Sequence, residues 1–399
     1  MKRLIVILFG LAIMLQRASA ASGNEQKLAV ANCDFSFRLL KELVKEQPAK
    51  NIFISAYSAS TSLQMVCNGA GGQTKVEMVK VLGLTGMQQA GINAGAVEIQ
   101  KSLNAVDTNV ILSTANAIWC RKDAPVNPAF ISDNQQFFHA TIENLDFDDP
   151  HSVGAMNAWV ASATRGKINQ IVSGPIDGAT DLFLANAVYF KSKWLDPFDA
   201  KATTNRIFHL RGGAQKKTPM MEQSGRFDYR RGAGYQAVHL RYEGWSLGMY
   251  VFLPDENSSP EKLLDILDGD KWQRVTKPGF KDNPGTLVLP KFKIEYGVEL
   301  KQSLSRLGMK QAFGAADFSG ISNHELFISA IRQQTFVEVN EEGTEAAAAT
   351  MVPIAMGIEM NPPTPFRMVA DRPFFFLIED ENTGVILFGG VVFDPGEAM

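Results

Sequence analysis

The sequence predicts an α+β fold in one large domain, and three observations carry that reading. Apolar residues at helical spacing crowd the first half of the chain, short β-rich runs bounded by Pro or Gly fill the second, and the two do not alternate regularly as a parallel doubly wound fold requires. No linker, low-complexity tract or repeat offers a place to divide the 399 residues.

Taken in order, Lys2 and Arg3, an apolar run from Leu4 to Leu15 and then Arg17-Ala-Ser-Ala20 have the charged start, apolar middle and Ala-x-Ala end of a secretory signal peptide. That sets residues 1–20 apart from a domain over 21–399 and predicts a secreted, extracellular product. The run is well short of the roughly 20 apolar residues needed to span a bilayer, and later apolar stretches are interrupted by charges, so no membrane association is expected. A first helix is predicted over Glu25 to Glu46, where Leu28, Phe35, Phe37, Leu39, Leu40 and Leu43 recur among charges. Asn51-Ile-Phe-Ile-Ser55 reads as a short strand, and Ser58 as the cap of a helix through Ala59 to Asn68. Further helices are predicted at 73–82, 93–105, 153–163 and 260–266, and strands at 183–190, 237–240, 247–253, 285–294, 335–339, 374–378 and 385–393.

Removing the leader takes Lys2, Arg3 and Arg17 with it and moves the formal charge from -3 to -6, which excludes bulk attraction to nucleic acid or anionic membrane. Cys33, Cys67 and Cys120 are an odd number for a secreted chain, so at least one is free or paired outside the monomer. With the cysteines widely spaced and the five histidines in no short ligand pattern, neither a metal nor any other cofactor is called for. Asn257-Ser-Ser259 is a glycosylation sequon in a polar stretch, with Pro260 after it. The motifs of hydrolases, zinc proteases, nucleotide-binding loops and dinucleotide folds are all absent, so no catalytic residue is assigned and the chain is not read as an enzyme.

One segment does not look like ordinary structure. After the strand-like Val337 to Val339 come Glu341-Glu342-Gly343-Thr344-Glu345, then Ala346, Ala347, Ala348, Ala349 and Thr350. The alanines would suit a helix, but small side chains also lower the steric cost of threading a strand into a packed sheet. At period two, Thr344, Ala346, Ala348, Thr350, Val352 and Ile354 share a face that could be buried, and Gly343 supplies the freedom to hinge.

Here the sequence resembles the serpin family, inhibitory type, whose hinge matches Glu341 to Thr350 position by position. The resemblance spans nearly all of the mature chain through Asn51-Ile-Phe-Ile-Ser55, Asn186-Ala-Val-Tyr-Phe190 with Lys193-Trp194, Leu289-Pro-Lys-Phe292, Leu307-Gly-Met309 and Arg372-Pro-Phe-Phe-Phe376. It implies three β-sheets with about nine helices and an exposed reactive-centre loop over about 341–365, which on cleavage inserts into the largest sheet. It implies a monomer that traps a serine or cysteine protease as a covalent complex. It places Ser55, Ser58, Asn186 and Gln333 at the shutter where the sheet parts, Trp194 at the breach where insertion begins, and Glu341 opposite Lys291. On the residues alone, Ser58 is also a helix cap and Trp194 a core aromatic.

Three positions depart from the family pattern: Ala56 where proline is common, Gln333 where histidine is common, and Pro353 inside the stretch that should insert. The family's spacing puts the reactive bond at Gly357-Ile358, with Met356-Gly357 and Met360-Asn361 as alternatives. No Lys or Arg occurs between Glu345 and Phe366, which points to chymotrypsin-, elastase-, subtilisin- or some papain-like targets rather than trypsin-like ones. Only Lys101 is basic between Ile92 and Val106, so heparin activation there is not expected. The alternative on the same fold is a non-inhibitory carrier, storage protein or chaperone, against which the small hinge residues argue.

Overall fold

The computed structural model describes residues 23–104, 110–344 and 364–396. Nine α-helical segments occur among them: α1 (Gly23–Glu46), α2 (Ala56–Cys67), α3 (Gly72–Val81), α4 (Gln89–Asn104), α5 (Pro128–Phe138), α6 (His151–Ala163), α7 (Pro260–Ile266), α8 (Gly269–Lys271) and α9 (Lys301–Leu307). The strands in chain order are β1 (Ile52–Ile54), β2 (Ile111–Arg121), β3 (Thr141–Leu145), β4 (Leu182–Lys193), β5 (Thr204–His209), β6 (Gln215–Gly232), β7 (Tyr235–Arg241) and β8 (Leu247–Pro254). They continue as β9 (Lys281–Pro290), β10 (Phe292–Glu299), β11 (Ile328–Asn340), β12 (Gly343–Thr344), β13 (Phe366–Val369), β14 (Phe374–Asp380) and β15 (Val385–Val392).

The strands form a six-stranded sheet, ordered β10-β11-β12-β4-β2-β3, and a nine-stranded one, ordered β1-β15-β14-β8-β7-β6-β9-β13 with β5 on β6. The second and third of the three expected sheets are thus hydrogen-bonded into one. The long β6 joins them: its first residues pair with β5, its middle with β9 and its last with β7.

Strand β4 shows why the six-stranded sheet sits at the centre. Its Leu182, Leu184, Val188 and Phe190 enter the main core, while Phe183, Ala185, Ala187 and Tyr189 enter a second core beneath α6, where Met156 and Val160 meet Trp119 and Phe336. Period two with both faces covered gives a continuous apolar run, which is what made this strand legible.

Two expectations are corrected. Residues 285–294 are not one strand but the end of β9 and the start of β10, in different sheets, with the break at Lys291, whose N–H donates to the Pro219 carbonyl (3.0 Å). Helices do crowd the first half, which holds six of the nine α-helical segments among the described residues, interspersed with β1, β2, β3 and β4. Strand β2 escaped notice because Ser113, Thr114 and Asn116 interrupt its apolar pattern. The cap of α2 is Ser55, not Ser58: Ser55 is extended and its side chain accepts the Ser58 N–H. Helix α5 was also missed, although Asn127 caps it and Pro128 fills its first position.

Candidate functional site

At the middle of the six-stranded sheet β11 and β4 lie side by side and parallel, with Ile328 to Phe336 in register with Leu182 to Tyr189. Toward their C-terminal ends they part, and β12 enters between them, antiparallel to both: Gly343 lies opposite Lys193 and Asn340, Thr344 opposite Ser192 and Val339. The sheet is therefore five strands wide along this seam and six at its head. Gly343 has φ +147°, and a Cβ there would press on the Ser192 carbonyl oxygen and lie 2.5 Å from Lys193 Cα. Only glycine fits so close a backbone approach. Thr344 is fully buried, and its hydroxyl is 3.0 Å from that of Tyr242.

The turn before β12 is held from several sides. Trp194 is buried, stacks on Tyr242 with 4.6 Å between ring centroids, and donates from Nε1 to the Asn340 carbonyl (3.0 Å). The backbone N–H groups of Trp194 and Phe198 donate to the carbonyls of Glu342 (2.9 Å) and Glu341 (2.8 Å). Lys291 Nζ meets Glu341 Oε2 at 2.7 Å and Thr203 donates to Oε1 (2.8 Å). Burial alone would raise the Glu341 pKa, but Lys291 and Thr203 outweigh it and hold the carboxyl below its ordinary value.

Below the head, buried polar side chains cross the seam. Gln333 and Asn186 face each other in register, and Gln333 Nε2 donates to Asn186 Oδ1. The same Nε2 donates to the Ser55 carbonyl (3.0 Å), while Gln333 Oε1 accepts the Ser55 N–H (2.8 Å). Asn186 Nδ2 donates to Ser58 Oγ and to Asn116 Oδ1 (2.6 Å), which also accepts from Ser62 Oγ (2.6 Å). Ser55 Oγ reaches across to the Leu387 carbonyl of β15 (2.8 Å). The seam between β11 and β4 is thereby tied to α2, β2 and the second sheet. Buried amides so fully paired specify one alignment of the strands.

A family model described as Serpin (serine protease inhibitor) matches residues 30–395. The chain belongs to the serpin family. Serpin B6 of Pongo abelii is 37% identical over 377 residues, which cover 92% of this chain and 99% of that protein. The leukocyte elastase inhibitor of Bos taurus is 36% identical over 384 residues, 93% of this chain and 100% of that one. Among solved structures, human thyroxine-binding globulin complexed with its ligand superposes with a TM-score of 0.85 at 27% identity, covering 94% of this serpin and 100% of that chain.

Of the residues singled out in the sequence, this serpin brings Ser55, Ser58, Asn186 and Gln333 into one network and Trp194, Lys291, Glu341, Gly343 and Thr344 around the head of the seam. Ala56 is the first residue of α2 and buried, a position that proline would also fit. Ala346 to Thr350, Pro353 and the candidate bonds at Met356, Gly357, Ile358 and Met360 lie outside the described residues. Asn257 is exposed in the turn before α7, Lys101 is exposed on α4, and Cys33, Cys67 and Cys120 are each buried and free. Asn116, Ser62, Thr203 and Tyr242 went unnoticed, because nothing in their local sequence marks them.

Proposed function

We propose that this serpin is a secreted suicide-substrate inhibitor of serine, and also cysteine, endopeptidases of chymotrypsin-, elastase- or subtilisin-like specificity. The observation that carries the reading is the burial of Gly343 and Thr344 between β4 and β11. Any chain continuing in the direction of β12 would part a parallel pair and run antiparallel to both neighbours, exchanging one ladder for two. In the reaction, the protease nucleophile attacks the loop carbonyl, forming an ester or thioester and releasing the new amino terminus. The freed hinge strand then enters the seam and carries the acylated protease with it before water can complete hydrolysis.

The absence of Lys and Arg between Glu345 and Phe366 supports the choice of target, as does the similarity to a leukocyte elastase inhibitor. The similarity to thyroxine-binding globulin favours a carrier as second reading. The small buried hinge speaks for inhibition. Secretion rests on the leader at residues 1–20, and the exposed sequon at Asn257 is compatible with glycosylation. The test is incubation with chymotrypsin, elastase, subtilisin, papain and trypsin followed by denaturing electrophoresis. An adduct that survives denaturation with one of the first four is the expected result. Clipping alone by every protease would favour the carrier, and an adduct with trypsin cleaved inside 346–366 would overturn the specificity.

A further inference from the structure

Between α1, α2, α4, α5 and β2 lies a cavity of about 120 Å³, separate from the seam and of a different character. Its apolar wall includes Leu28, Ile99, Leu103 and Phe138, and its polar lining includes three buried amides, Asn32, Gln64 and Asn116, beside several hydroxyls and the exposed Asn104 and His139. No Asp, Glu, Lys or Arg lines it among the described residues.

Asn32 is 5% exposed and neither Nδ2 nor Oδ1 has a hydrogen-bond partner among the described residues. Gln64 is 6% exposed; its Nε2 donates to Ser60 Oγ (2.9 Å), while its Oε1 has no partner. A buried amide left unpaired costs free energy, and most are paired. A short way off, Asn68 Nδ2 donates to Asn134 Oδ1 (3.2 Å) and Asn93 Nδ2 to Asn68 Oδ1 (3.0 Å), with Gln89 Oε1 the one atom of that group left without a partner among the described residues. At the cavity one donor and two acceptors are left over. Exchanging the oxygen and nitrogen of Asn32 leaves the same donor and acceptor facing inward.

We propose that this cavity is a binding site for a small, uncharged, planar molecule carrying a carboxamide-like edge, an N–H beside a C=O, on a ring of benzene size. The N–H of that edge donates to Gln64 Oε1 or Asn32 Oδ1, and its carbonyl accepts from Asn32 Nδ2. The ring lies against the apolar wall. At about 120 Å³ the cavity is smaller than the apolar cavity of about 150 Å³ that takes benzene in another protein, so one ring is the most it admits. A ligand carrying one must extend to the mouth, where Asn104 and His139 are exposed. A carboxylate is disfavoured because no Lys or Arg lines the cavity among the described residues and His139, which does line it, is exposed. Asn116, which also holds Asn186, places the site one side chain from the seam.

The test uses the full chain and saturation-transfer NMR with benzamide, against benzoate and toluene. Benzamide should bind saturably, with benzoate and toluene at least about tenfold weaker, and Asn32→Leu should weaken benzamide about tenfold or more. Absence of benzamide binding up to about 10 mM would mean the cavity holds solvent only and would overturn the proposal. Equal binding of toluene or benzoate, or unchanged binding by Asn32→Leu, would overturn it as well. Should Asn32→Leu fail to fold, Ala96→Leu fills the cavity from α4 and must abolish benzamide binding; its retention would sink the site.

Discussion

The Thr344 hydroxyl lies 3.0 Å from the Tyr242 hydroxyl, and both residues are fully buried at the head of the six-stranded sheet. The first hinge side chain therefore already occupies the place that an inserting strand would use. In Thr344→Arg a long cation would have to enter that site, and burying a charge without a partner costs several kcal/mol. The expected outcome is that adduct formation with the target protease falls more than about tenfold while cleavage continues. Band intensities on denaturing gels at fixed protease ratio measure it, and an undiminished adduct would contradict insertion at this seam.

Gly343→Val should detach β12 from β4, since a side chain there meets the Ser192 carbonyl and Lys193 Cα and the backbone has positive φ. The check is hydrogen exchange. The amides of residues 192–194 and 343–344 should lose protection in the variant while those of Ile331 to Thr335 keep theirs.

Gln333 Nε2 and Oε1 between them bond both backbone groups of Ser55 as well as Asn186. Gln333→Leu leaves the Ser55 N–H and Asn186 Oδ1 unpaired, while the Ser55 carbonyl keeps the Ala59 N–H (3.0 Å). The loss is about 2–6 kcal/mol, at 1–3 kcal/mol for each of the two groups. Urea unfolding followed by Trp fluorescence should show an earlier first transition, and Gln333→His should recover part of the loss.

His239 is buried with Nδ1 3.4 Å from Asp228 and Nε2 3.3 Å from Glu381. Burial pulls its pKa down, but the two carboxylates outweigh burial and leave it above its ordinary value. The same contacts act on the partners. The His239 hydrogen bond lowers Asp228, and Glu381, despite burial, falls to about 2. The stabilisation from His239 is thus fully present below its unfolded pKa of about 6.5 and lost as pH rises through the folded value. That from the carboxylates is present above about 4 and lost only on strong acidification. In urea unfolding, the stability difference between this protein and His239→Gln should hold from about pH 5 to 6 and shrink toward pH 8, with a slope of at most about 1.4 kcal/mol per pH unit for one proton. It comes on top of the decline that buried Glu379, raised to about 7, gives both. A difference that does not change over that range would place the titrating group elsewhere.

The residues that meet at the head of the seam and along it stand in short contiguous runs, Glu341 to Thr344 in one, Ser55 with Ser58 in another, Asn186 ahead of Trp194 in a third, which is why the sequence could single them out. Asn116 is 70 residues from Asn186 and 54 from Ser62, and Tyr242 is 102 from Thr344. Such partners are chosen by strand register rather than by any local pattern. The fold class was legible for the same reason that β4 was, through apolar runs with both faces buried. Strand β2, whose Asn116 joins the buried network while Thr114 is exposed, hid behind its mixed pattern.

Gln333 and Asn186, the register mates at the centre of the seam, are 147 residues apart in the chain, whereas β11 and β12 are consecutive. Closing a long loop is the slower event, and the hairpin between β11 and the hinge is local. During folding the distant partner must arrive before its short-range rival extends. A chain that loses that race would end with the hinge spent before any protease has touched it, so conditions that slow long-range pairing should yield protein that is folded and stable yet inert as a trap.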